Sequence, residues 1–309
     1  MQTTKTSSKA LDPYASIEKA PLYARDSMKS RGVSVRLADA EAPVGWREVG
    51  VVSPSYLLVP NTEVRDMAAD IAEASGLGWV EDRLFFDGRR YFYGLVADPE
   101  IVYAEVTVGD VLGIGLLFEN SYDGSRRLAA SLYVHRLACA NGMLAPTRLA
   151  RVRFKHSRGS ASWRSELGRA LAMLGAAPRL LASFAASAAR LARHELGTLE
   201  LAAIRQGPLA GLPVSLWGKV VDRYLADEDP TGWGLLNAAT ACVWHAERQT
   251  VADFAHNETA TAGLLRYADR LPDAGFSGKD DRADHHLVRH LGVPAHMTLI
   301  SNGRGHDAA

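Results

Sequence analysis

The feature that most restricts the fold is the run Leu84-Phe85-Phe86-Asp87-Gly88-Arg89-Arg90-Tyr91-Phe92-Tyr93, an Asp-Gly pair between two aromatic stretches. Aromatic residues favour extended chain, and Asp-Gly supplies the backbone freedom of a tight turn, so the run reads as a β-hairpin. With Asp87 and Gly88 as the turn residues, Phe86 pairs with Arg89 and Leu84 with Tyr91. Alternation then puts Leu84, Phe86, Arg89 and Tyr91 on one face and Arg83, Phe85, Arg90 and Phe92 on the other.

Other elements gather around this hairpin. A second hairpin runs from Val111 to Phe118, through the turn formers Asn120 to Ser125, into Leu128 to Cys139, and a further strand spans Leu149 to His156. Upstream, Tyr56 to Val59 read as extended and Pro60-Asn61-Thr62 as a turn able to cap a helix. That helix carries Val64, Met67, Ala68, Ile71 and Ser75 at helical spacing and closes at Gly76. Beyond Gly159 the spacing becomes helical throughout, with Pro178 restarting an Ala-rich helix and others over Leu199 to Arg205, Ser215 to Ala226 and Gly232 to Arg248. The expected class is α+β, an antiparallel hairpin sheet with a packed helix, followed by a mainly helical C-terminal half. The expected division is a flexible arm over 1–46, a β-rich core over 47–158, a helical region over 159–270 and a loosely ordered, His-containing tail over 271–309.

Charge is distributed unevenly. The 309 residues hold 35 Lys or Arg and 35 Asp or Glu, a balance that by itself argues against a polyanion as partner. Yet Ser125 to Ser165 contains no acid, and Ser125 to Arg193 carries thirteen cations against Glu166 alone, leaving 22 basic against 34 acidic residues elsewhere. On the strand Leu149 to His156, Arg151, Arg153 and Lys155 share one face and Val152 and Phe154 the other. Neighbours on that face stand roughly 6 to 7 Å apart, a spacing that suits consecutive phosphates of an extended single strand. Arg126, Arg127, Arg148, Arg158 and Arg164 extend the candidate nucleic-acid contacts. Arg136 differs: it shares parity with Leu128, Ala130, Leu132 and Val134, so it either pairs with an acid from elsewhere or lines a groove. Phe85, Tyr91 and Phe92 are candidates for stacking on bases, and core packing is the competing role.

Catalytic and metal chemistry find little footing. Cys139 and Cys242 are too few and too far apart for a disulfide framework or a metal knuckle, which fits a reducing compartment. His135 and Cys139 on one strand face point side by side, without an orienting carboxylate. Gly109, Gly113 and Gly115 lack the order of a dinucleotide fingerprint, and Asn120 to Ser125 lacks that of a calcium loop. His285, His286, His290 and His296 are scattered rather than arranged as ligands. No metal site and no cofactor is expected. Without a signal core or a run approaching the roughly 18 apolar residues of a membrane span, the expected location is the cytoplasm, with no membrane partner.

Five blocks in order carry a resemblance: Tyr56 to Asn61, Asp87 to Arg90, Asn120 to Ser125, Arg136 to Met143, and Gly232-Trp233-Gly234-Leu235-Leu236-Asn237-Ala238-Ala239-Thr240. They resemble the phage- and plasmid-borne domain of unknown function nine-three-two, over about Val51 to Ala268. The resemblance implies a protein of a mobile element and brings no catalytic residues with it. The order of elements is also similar, at fold level, to single-strand annealing recombinases of the RecT and Redβ type, which implies a positive groove and assembly into rings or filaments. Three functions remain open: a non-enzymatic binder of single-stranded DNA or RNA that acts as a homo-oligomer, a protein-binding factor that inhibits a host nuclease or restriction system, and an enzyme on nucleotides or nucleic acid. The last needs a cluster of acids or a base beside a nucleophile, which no local stretch supplies; a pocket that gathers Asp87, Asn120, Asp123 and His135 from distant segments would favour it.

Overall fold

In the computed structural model, strands form well ahead of Trp46. The structure describes residues 11–22, 32–98, 103–137, 141–144, 151–153, 167–246 and 250–271. Strands β1 (Ile17–Pro21), β2 (Val33–Ala38) and β3 (Trp46–Val52) form a three-stranded antiparallel sheet in that order. The flexible arm expected over 1–46 is thereby corrected for the two strands within it. Its alternation was easy to overlook, because Val33, Val35 and Leu37 are separated by Ser and Arg on a strand of six residues. Val35 and Leu37 pack in a small core with Val49, Val52 and Tyr122.

Helix α1 (Asn61–Ser75) follows Pro60 and buries Val64, Met67, Ala68 and Ile71, the stripe its spacing foretold. Gly76, at φ 69°, ends it in the left-handed conformation, where a side chain would be strained. Then come β4 (Trp79–Phe86), β5 (Arg90–Ala97), β6 (Tyr103–Glu105), β7 (Val111–Ser121), β8 (Ala129–Arg136), β9 (Asn141–Leu144) and β10 (Arg151–Arg153). They form a seven-stranded sheet ordered β10-β8-β7-β5-β4, with β6 on β7 and β9 on β8.

The Asp-Gly hairpin is present with a shifted register. Phe86 faces Tyr91 and Leu84 faces Tyr93, so each partner lies two residues beyond the expected one and the turn centres on Gly88 and Arg89. The cause is Asp87, whose Oδ1 accepts from the N–H groups of Arg89 and Arg90 at 2.9 and 2.7 Å. It closes the turn from its edge instead of sitting at its apex. A shift of two preserves parity, so the two expected faces survive.

The helices are α2 (Leu167–Gly175), α3 (Ala177–Ala192), α4 (Thr198–Gln206), α5 (Val214–Ala226), α6 (Gly232–Trp244) and α7 (Val251–Ala268). The chain sorts into two compact units, one of Met1–Tyr103, Gly113–Tyr133 and Thr147–Leu180, the other of Ala104–Leu112, Val134–Pro146 and Leu181–Ala309. These do not follow the contiguous division at residue 158, because β7 and β8 each give residues to both. In the first unit α1 and α2 cover one sheet face, where Met67, Ile71 and Met173 meet Tyr91, Leu116, Phe118, Leu132 and Val152. In the second, α6 is buried at every position but Cys242 and packs against α5, α7 and β9. Such a helix is apolar all round and belongs in a core. Among the described residues no single helix is long and apolar enough to cross a membrane.

Candidate nucleic-acid interface

The acid-free stretch of sequence is not acid-free in space. Glu119, near the end of β7, is 5% exposed and lies on the sheet face opposite α1, directly across from Phe92. Arg126 Nη1 donates to its Oε2 at 3.0 Å, Arg151 Nη2 donates to its Oε1, and Arg126 Cζ lies 5.5 Å from the Phe92 ring centroid. A carboxylate this deep needs such partners, and two cations on one acid leave the cluster with a surplus positive charge. Arg126 and Arg151 are thus held in place rather than ranging freely.

Arg127 and Arg153 remain exposed, and neither forms an ion pair among the described residues. Arg153 faces Ala129 across the β10–β8 pair, and Arg127 lies two residues before Ala129, so both fall at one margin of the sheet. Val152, between the two arginines of β10, is buried in the core, as the alternation required. Arg148, Lys155, Arg158 and Arg164 lie outside the described residues.

The aromatic candidates are corrected. Tyr91 and Phe92 are each 1% exposed, on opposite faces of a strand covered on both sides, so neither presents a ring to solvent. Tyr91 stacks on Tyr93 and its hydroxyl meets that of Tyr14 at 3.2 Å. Phe85 is half-buried, edge-on to Phe92 with centroids 5.8 Å apart.

Arg136 has found its acid. Its Nε and Nη2 donate to Asp110 Oδ1 and Oδ2 at 2.6 and 3.0 Å, and Trp233 Nε1 donates to the same Oδ2 at 2.7 Å. The guanidinium also lies over the Trp233 ring, 5.7 Å from its centroid. This triad borders an open cavity of about 460 Å³, together with Val108, Asp229 and Thr231. The two carboxylate oxygens already accept three hydrogen bonds, which makes Asp110 a poor general base.

Of the four residues named for an enzymatic pocket, three belong to the first unit and are engaged within the fold. Asp87 and Asp123 flank Arg90 at 3.8 and 3.9 Å and hold backbone turns, while Asn120 donates within the fold to Val59 O and Asn61 Oδ1, both at 2.9 Å. His135 belongs to the other unit. Gly115 has a packing role: a Cβ there would stand 2.1 Å from Tyr133 Cζ, so its absence makes room for that ring. Tyr133 donates to Asp82 Oδ2 at 2.8 Å, and burial pushes its pKa well up.

Sequence reasoning missed Glu119, Asp110 and Trp233. The available signal was a lone acid closing the apolar run of β7, which implies a buried charge and hence a cation across the sheet.

The five blocks sort by unit. Tyr56 OH donates to Ser121 O at 2.7 Å, Asn61 N–H to Tyr122 OH at 2.9 Å, Tyr122 N–H to Arg89 O at 2.7 Å and Arg90 Nε to Ser125 Oγ at 3.0 Å, joining the first three in one network of the first unit. Arg136 and Trp233 join the other two in the second. No curated protein and no solved structure matches the chain. Residues 48–268, well over half of it and spanning all five blocks, match DUF932, a domain of unknown function, and the chain belongs to that family.

Proposed function

We propose that this protein binds single-stranded nucleic acid along the β8–β10 margin of its sheet, without catalysis, as a cytoplasmic homo-oligomer of a mobile element that anneals or protects transferred strands. The observation that carries the reading is the pair Arg127 and Arg153, exposed beside a cluster in which Glu119 is already engaged by Arg126 and Arg151. Cations held by a buried acid keep the margin rigid, and exposed ones beside them meet phosphate at little desolvation cost.

The test is the affinity of the full chain for a labelled single-stranded oligonucleotide as salt is raised. Affinity falls steeply with salt, and R127E/R153E lowers the slope of log K against log[salt] by about 1.4, at roughly 0.7 per phosphate contact. Absence of binding at low salt, or unchanged binding by the double variant, overturns the reading. Co-purification of a discrete host protein that survives nuclease treatment supports instead the inhibitor of a host nuclease.

A further inference from the structure

Arg205 differs from the other buried cations because, among the described residues, no acid answers it. It lies in the last turn of α4 and is 8% exposed. Nη1 donates to Leu209 O at 2.8 Å, and Cζ lies 5.8 Å from the ring centroid of the fully buried Trp217. A carbonyl and an indole face orient a guanidinium, but neither carries a net charge to cancel it. Nε is buried and has no hydrogen-bond partner among the described residues. Burial pushes the pKa of the group down, and no carboxylate pulls it back.

Arg136 shows what this edge of a guanidinium does elsewhere in the chain. It offers Nε and Nη2 as a fork to the two oxygens of Asp110. Arg205 carries the same fork, and among the described residues nothing accepts from its Nε. The adjoining loop reads Gly207-Pro208-Leu209-Ala210-Gly211, with Gly207, Ala210 and Gly211 exposed and Leu209 buried, so the loop supplies no long polar side chain to cover the group.

We propose that Arg205 is an anion site of the second unit, whose Nε/Nη2 edge takes a small oxyanion, phosphate or carboxylate, in a bidentate grip. The planar fork matches either ligand, and a bound anion completes the hydrogen bonding of Nε as it neutralises the charge. The site is independent of the nucleic-acid reading and stands or falls without it.

The experiment is thermal unfolding of the full chain in sodium phosphate, sodium acetate and sodium chloride at matched pH and ionic strength. Phosphate also stabilises proteins by exclusion from their surface, an effect every variant shares, so the readout is the difference between wild type and R205M. Wild type gains on the order of 5 °C more than R205M at about fifty times the dissociation constant, and the salt that produces the gain identifies phosphate or carboxylate as the ligand. R205K, which keeps the charge and loses the fork, requires at least about tenfold more anion for the same gain. Equal responses of wild type and R205M overturn the site. Should R205M not fold, calorimetric titration of wild type and R205K with inorganic phosphate decides: a tenfold difference supports the site, and equal binding or none removes it.

Discussion

At the scale of single residues, the chain sets buried acids against cations from other strands and loops. Glu119 answers Arg126 and Arg151, and Asp110 answers Arg136. E119A removes the acid that Arg126 and Arg151 share and leaves two partly buried guanidinium groups without it. It should cost about 3 kcal/mol in urea unfolding, whereas R127A, at an exposed position, stays within about 0.5 kcal/mol. Alkali tests a second buried group. Burial raises the Tyr56 hydroxyl to about 12, above its ordinary value of 10.0. Native Tyr56 therefore keeps its proton where the unfolded chain loses it, so its contribution is intact below pH 10 and lost as pH climbs from 10 through 12. Y56F should reduce the fall in stability across that window by roughly one proton, measured from denaturant midpoints. These pairings were only half legible in the sequence. The parity of Arg136 posed the need for an acid, but Asp110 becomes its partner only once strand register and the position of Trp233 are known.

Among the elements, legibility followed the strength of the periodic signal. α1, α4 and α5 fall within two residues of their expected spans, because large apolar residues at helical spacing leave little choice. α7 was not singled out, since its buried positions are largely Ala, Thr, Gly and Asn, small residues that pack closely and give a weak pattern. Its start is marked instead by Asp253, which accepts from the Thr250 N–H at 2.6 Å. The glycines of β7 lack the order of a nucleotide loop, and at Gly115 the reason for a glycine is packing. A methyl group at 115 lands on a Tyr133 ring that is fully buried and tied to Asp82, so it has nowhere to go. G115A should destabilise by about 3 kcal/mol in denaturant titration. T231A tests the start of α6, where the threonine hydroxyl accepts from Gly234 N–H at 3.1 Å, and should cost about 1 kcal/mol.

For the whole molecule, texture and topology part ways. The change from strands to helices near residue 159 was plain in the sequence and correct as a change of element type. It is not a boundary between folding units. α2 lies beyond it, yet Ala170, Met173 and Leu174 belong to the core of α1 and the sheet. Residues 104–112 and 134–146 lie before it and belong to the unit built mainly from α3 to α7. Local periodicity cannot reveal this, because it reports what a segment buries and not which neighbours do the burying. A fragment of residues 1–158 therefore exposes the sheet face that α2 covers and leaves two segments without their unit. It should keep far-UV strand signal, lose near-UV signal from its tyrosines and bind a hydrophobic dye, as a chain with secondary structure and no fixed packing does. A fragment with native near-UV signal and a cooperative thermal transition would show that the unit survives without α2. Fragments cut at 158 are for the same reason unsuited to mapping nucleic-acid binding. Point variants at Arg127 and Arg153 in the full chain test the margin while every unit keeps all its parts.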